Sequence, residues 1–157
     1  MTEAVDNAIN KLVTSGIAAT SELVGCSEAE LVSLERDLGL RLPVPYRHFL
    51  ARLGKAAGQF LVGTDFLFPQ LRELKKGAEV LLRESGAPFQ LTEMHFVFAM
   101  HQGYQFLFFR ADESPDPQVF HYEENDTEAR CVAPSFTVWL DGCVTDEIAV
   151  AAELGSE

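Results

Sequence analysis

Basic residues are scarce in this chain: 12 Lys and Arg stand against 24 Asp and Glu, a formal charge of -12 at pH 7. The shortage is uneven. Residues 1–110 carry 11 of the bases and 12 acids, a net of -1, whereas residues 111–157 carry only Arg130 against 12 acids, a net of -11. Such a surface repels nucleic-acid phosphates and anionic lipid and attracts cationic partners. The same acidity equally serves solubility. Arg72, Lys75 and Lys76 form one small basic cluster, interrupted by Glu73 and Glu79, which is no nucleic-acid footprint.

Long apolar runs are missing too. Mean hydropathy is +0.03, and no stretch approaches the roughly 20 consecutive apolar residues of a membrane helix. The opening MTEAVDNAINKLV has neither a basic n-region nor an apolar h-region, so no signal peptide is expected. Cysteine is sparse: Cys26, Cys131 and Cys143 are odd in number and lack CxxC spacing, which argues against a disulfide framework or a zinc knuckle. Reduced structural thiols in a cytoplasmic protein are expected, with Cys143 a small buried hydrophobe.

Catalytic signatures are equally absent. The chain has no HExxH pair, GxSxG elbow, GxxxxGKS/T loop or GxGxxG fingerprint, and its 11 glycines stand singly at element ends. The four histidines, His48, His95, His101 and His121, lack companion ligands at metal spacing. Most carboxylates of the last third fall in two loops, where solvation keeps them ordinary, while an acid/base pair needs one desolvated member. No enzyme, no cofactor and no metal is expected.

What is present reads as one domain over residues 1–157, long enough to bury about 70% of its unfolded surface without staples. AVDNAINKLV predicts a first helix ending near Gly16. Ser27 with Glu30 forms a capping box, Leu31, Leu34 and Leu38 make one stripe, and Gly39 stops that second helix. LPVPYRHFLARLG carries a third, with Tyr46, Phe49, Leu50 and Leu53 inward and Arg47 and Arg52 outward; each buried side chain is worth about 2 kcal/mol. GQFLVG predicts a short strand between glycines. A long helix from about Pro69 follows, with Leu71, Leu74, Ala78, Leu81 and Leu82 as its stripe and Ser85-Gly86 as its end.

From Met94 the period changes to two. HFVFAM and YQFLFF predict a hairpin around His101-Gln102-Gly103, apolar on both faces and therefore central, with Phe106 and Phe108, or else Phe96 and Phe98, largely buried. QVFHY and RCVA predict two further strands. Ser135 caps a helix SFTVWL with Phe136, Trp139 and Leu140 inward. Asp141-Gly142 is a break point, with TDEIAVAAEL as a separate last helix. The class is α+β: a central antiparallel meander of about four to six strands flanked by helices.

Three blocks of this sequence resemble the SUKH superfamily, the Smi/Knr-type domain. LVSLERDLGLRLPVPYRHFLARLGKAAG carries its entry pattern at Glu35, Leu38-Gly39, Leu42-Pro43, Tyr46 and Phe49-Leu50. HFVFAMHQGYQFLFF is similar to the central hairpin, with Gly103 at the turn. APSFTVWL is similar to the closing helix, at Ser135, Phe136 and Leu140. The resemblance covers about residues 27–141, and KAAG stands where the family often has a glycine pair. It implies a non-catalytic α+β binding module. Bacterial members are immunity proteins that neutralise a polymorphic toxin; eukaryotic relatives are regulators or scaffolds around cell-wall assembly. Both readings stand at this point: masking of a basic toxin domain, for which a nuclease is the example, or binding of an endogenous protein partner.

For the first reading the candidate contacts are the acids of two loops: Asp112, Glu113 and Asp116, then Glu123, Glu124, Asp126 and Glu128. Phe120 and Tyr122 of the strand between them are expected as exposed anchors. If that strand is straight, the loops lie at its opposite ends.

Overall fold

The computed structural model describes residues 1–155. In chain order the elements are α1 (Thr2–Thr14), a 3-10 turn (Thr20–Glu22), β1 (Leu23–Val24), α2 (Glu28–Leu38), α3 (Val44–Leu53), β2 (Ala56–Ala57), β3 (Thr64–Asp65), α4 (Phe68–Ser85), β4 (His95–His101), β5 (Gln105–Arg110), β6 (Val119–Glu123), β7 (Arg130–Ala133) and α5 (Phe136–Gly155). The class is α+β, as the sequence predicts.

α2, α3 and α4 start and stop within a residue or two of where the sequence signals them. Ser27 Oγ accepts from the Glu30 amide at 3.1 Å while Glu30 Oε1 accepts from the Ser27 amide at 2.9 Å, a complete capping box. Gly39 (φ 67°) and Gly86 (φ 65°) end α2 and α4 in the left-handed conformation that glycine adopts without strain. The predicted stripes are the buried faces: Leu31 and Leu34 on α2, Tyr46, Phe49, Leu50 and Leu53 on α3, and Leu71, Leu74, Ala78, Leu81 and Leu82 on α4.

The main sheet is an antiparallel meander in the order β3-β4-β5-β6-β7. Its hairpin turns at Gln102 (φ 50°) and Gly103 (φ 78°), two successive left-handed residues as a type I′ turn requires. A bulge at Phe98 shifts the β4–β5 register, so that Val97 faces Phe108 and Ala99 faces Leu107. Phe96 and Phe98 both stack on Phe109, and past the extra residue Met100 stands opposite Phe106 on the other side. The Phe109 side meets α3 and α5. Tyr46 is the hub, with ring centroids 5.3 Å from Phe96, 5.2 Å from Phe109 and 5.3 Å from Phe136. The other side carries Met100, Phe106 and Phe108 and is covered by α4, whose Gly77 lies against the Met100 methyl. Phe96, Phe98, Phe106 and Phe108 are all buried, so both aromatic pairs belong to the core. α1 packs along α5, with Lys11 Nζ 2.6 Å from Asp141 Oδ1.

Three sequence expectations are corrected. GQFLVG is a run of turns and not a strand: Gly58 (φ 59°), Leu61 (φ 53°) and Gly63 (φ 92°) are all left-handed, which no extended chain tolerates. The extended pieces are its flanks. β2 pairs with β1 in a separate two-stranded sheet, and β3 joins the edge of the main one. Asp141-Gly142 does not break the last helix, because α5 is continuous. A mid-helix glycine costs about 1 kcal/mol; burial of Leu140 and Val144 on either side offsets it. Arg47 and Arg52, finally, are half-buried in ion pairs, Arg47 with Glu28 and Glu35, and Arg52 with Asp6.

Candidate interaction surface

The loop between β5 and β6 ties two of its three acids into the fold. Arg110 Nε donates to Asp112 Oδ1 at 2.7 Å, which holds that carboxyl below its usual range. Asp116 accepts from the Thr137 amide at 3.1 Å and the Thr137 hydroxyl at 2.6 Å, so it secures the first turn of α5, where an acid also suits the helix dipole. Glu113 alone is exposed without a salt bridge among the described residues.

The loop between β6 and β7 is built differently. Its backbone is pinned: the Glu124 amide donates to the Tyr104 carbonyl at 2.8 Å, the Asn125 amide to Ser85 Oγ at 3.2 Å, and the Glu123 amide to Asp126 Oδ2 at 3.2 Å. Glu123, Glu124 and Glu128 are exposed and make no salt bridge among the described residues. The sheet thus holds uncompensated carboxylates at a fixed place. The two loops sit at opposite ends of β6, separated by on the order of 15 Å at the usual strand rise, and form two patches.

The expected aromatic anchors are not exposed. Tyr122 is fully buried between Phe106, at 5.5 Å, and Phe89, at 5.6 Å. Phe120 is half-buried and stacked on Phe108 at 5.6 Å. Two residues apart on one strand they share a face, and it is the α4-covered one.

A groove lies on the opposite face, between the sheet and α5. His101, Gln105, Leu107, His121, Trp139 and Cys143 line a cavity of about 240 Å³. Gln105 is in register with Glu123, so the second acidic loop borders it. His121 Nε2 stands 2.7 Å from Gln105 Oε1, an oxygen that only accepts; this nitrogen therefore carries the proton, and Nδ1 is a buried acceptor without a partner among the described residues. Burial, then Arg130, pulls the His121 pKa down, opposed by Glu123 and Asp126. Burial also pushes the Cys143 thiol up to about 12. His95 and His101 stand at the two ends of β4 with unrelated partners, the Thr92 amide at 2.8 Å and the Thr64 hydroxyl at 3.0 Å. No group of three or more His, Cys, Asp and Glu among the described residues is placed to hold a metal ion, and no described helix is long and apolar enough to cross a membrane.

From Trp139 and Cys143 the depression continues along α5 past Val138, Asp146 and Glu147 to Val150 and Leu154. Sequence reasoning missed this surface because it ended the inward-facing helix at Leu140. The signal available was TDEIAVAAEL, apolar on several sides and free of Lys and Arg.

The chain was compared with known proteins. The model of the SMI1 / KNR4 family (SUKH-1) matches residues 25–142. That span runs from just before the α2 capping box into α5 and takes in the whole five-stranded sheet. No curated protein matches the chain.

Proposed function

We infer the function from one premise: the chain belongs to the SMI1 / KNR4 family (SUKH-1). Membership supports a protein-binding role of the immunity or regulator kind, in a family that is generally without catalysis. Within that role, we propose a non-catalytic immunity protein that neutralises a toxin domain by covering a basic surface on it. One observation favours this over an endogenous scaffold role: the segregation of charge. Residues 1–110 are nearly neutral, and most of their cations are spent in internal pairs such as Arg47–Glu28, Lys55–Glu30 and Arg72–Asp37. The last third holds a net of -11. Glu113, Glu123, Glu124, Asp126 and Glu128 are the proposed contacts. Asp112 and Asp116 serve the fold, and Phe120 and Tyr122 serve the core. Such a field accelerates encounter with a cationic partner, towards about 10⁸ M⁻¹s⁻¹ at low salt, and fades once the Debye length falls below roughly 10 Å.

The test is to search the neighbouring genes for a toxin and to co-express its toxic domain with this protein, scored as rescue of growth. Binding rates are then compared between the parent and the Glu123→Gln, Glu124→Gln, Asp126→Asn, Glu128→Gln variant. Rescue, with association slowed in the variant at low salt only, is the expected outcome. A toxin that kills despite the protein refutes the neutralising role. An unchanged rate at low salt removes the acidic loop from the interface.

A further inference from the structure

α5 is too apolar for the position it occupies. A helix that is apolar on all sides is ordinarily buried on all sides, yet only Phe136, Leu140 and Val144 of α5 are buried, and no described residue after Val144 is. Ten large hydrophobic side chains of the described residues are exposed. Five of them, Val62, Val132, Val138, Val150 and Leu154, line the depressions along this one helix. The depressions share walls: Trp139 and Cys143 join the first to the second, Asp146 and Glu147 the second to the third. From Val138 to Leu154 the helix rises about 25 Å, the length of a partner helix of between four and five turns. Its rim is of one sign. α5 carries Asp141, Asp146, Glu147 and Glu153 and no Lys or Arg; Asp141 answers Lys11 of α1, and Glu147 accepts from the Leu61 amide and keeps its charge on the groove. Asp146 is exposed at the middle of the groove and makes no salt bridge among the described residues.

We propose that this groove seats an amphipathic helix of the protein partner, with an apolar stripe against Val138, Trp139 and Val150 and Lys or Arg beside it facing Asp146 and Glu147. Charge complementarity selects this occupant over a second copy of the chain, whose own α5 would bring the same acids to the same place. The inference rests on the protein-binding reading above and supplies what the acidic loops lack. Loop carboxylates set the encounter rate, while buried apolar contact sets the dissociation rate.

Trp139 is the single tryptophan of the chain and lines the groove, so its emission reports occupancy. The probe is a synthetic, Trp-free peptide of about 16 residues, a length matched to the exposed stretch of α5. It has Leu at i, i+3, i+4 and i+7 and Lys on the flanks; a control has the same composition permuted so that no face forms. At physiological salt the amphipathic peptide should shift Trp139 emission saturably and bind at least tenfold more tightly than the permuted one. Val138→Asp with Val150→Asp should weaken it at least tenfold, while Asp146→Lys should weaken it and restore binding to a Glu-flanked peptide. All three sites are exposed, so far-UV circular dichroism should be unchanged. The four-fold loop variant should alter peptide affinity less than twofold.

Equal binding of the permuted peptide, or unaltered binding by the valine variants, overturns the proposal. So does a concentration-dependent dimer in sedimentation that Val150→Asp dissolves, because the occupant is then a second copy. Failure of toxin rescue with intact peptide docking refutes only the toxin reading. Rescue that the valine variants leave untouched refutes only this one.

Discussion

Removing the Glu35 carboxylate should destabilise the fold far more than removing its neighbour Glu28, although both bind the same arginine. Glu35 Oε2 accepts from the Leu42 amide at 2.8 Å and Oε1 accepts from Arg47 Nε at 3.1 Å, with the side chain 17% exposed. It therefore clamps the connection between α2 and α3 from inside. Hydrogen bonds to a charged group contribute about 1.5–3 kcal/mol each when shielded from water. Glu35→Ala loses both and leaves a backbone donor of a buried residue unmatched, for a total of about 2–4 kcal/mol after allowing for the half-exposed arginine. Glu35→Gln keeps the oxygen facing Leu42 but can turn an amide toward Arg47, so about half that loss is expected. Glu28 is exposed and its pair with Arg47 is screened by water; Glu28→Gln should be indistinguishable from the parent. For a domain of this size each kcal/mol moves Tm by about 2–4 °C. Thermal melts and urea unfolding of the three variants provide the assay. Equal losses for Glu28→Gln and Glu35→Ala would refute the clamp and reduce Glu35 to an ordinary surface charge.

Gly25→Ala should abolish stable folding, because a Cβ there would lie 1.7 Å from the Ala51 carbonyl oxygen and 2.5 Å from its carbon. A soluble variant with the parent's melting temperature would contradict this. Only one thiol should react promptly with a disulfide reagent in the native state, the exposed Cys131. Burial raises Cys26 to about 11 and Cys143 to about 12, so both should react only after unfolding; three fast thiols would disprove it. Stability should fall on mild acidification. His95 and His121 are held below the ordinary 6.5 by burial, so below that pH the unfolded chain binds more protons than the folded one. The urea midpoint should drop between pH 7.5 and pH 5.5 and drop less in His121→Gln, and a flat parent profile over that range would refute the assignment.

The elements that sequence made legible are those whose signals are local. A capping box, a left-handed glycine and a stripe at helical spacing each act within a few residues, so α2, α3 and α4 were readable to within a residue or two. The hairpin was readable because two adjacent left-handed positions accept few residues. GQFLVG was misread because its apolar residues fit a strand while its backbone obeys the left-handed Gly58, Leu61 and Gly63. The break at Gly142 failed for the opposite reason, since packing on both sides overrode a local weakness. Charge segregation was visible in sequence; its division was not. That Asp116 secures α5 and Asp112 answers Arg110, while Glu123, Glu124 and Glu128 stay free, depends on contacts made across the fold. Tyr122 was assigned to the wrong face, because a short strand of mixed polarity does not reveal which face α4 covers.

The pairing of α1 with α5 sets an order of events during synthesis. The sheet is complete once Ala133 has been added, but the Phe96–Phe98–Phe109 face and the inner stripe of α1, Val5, Ala8, Ile9 and Leu12, share only α3 as cover until α5 exists. At about 5–20 residues per second the 20 residues of α5 take a few seconds at most. For that interval the nascent chain carries an assembled sheet whose larger aromatic side is covered by α3 alone, and a first helix that leans on α3 alone. α5 is therefore the keystone of assembly as well as the rim of the groove. Truncation before Val144 should yield a chain that aggregates as it is made, whatever the health of its sheet.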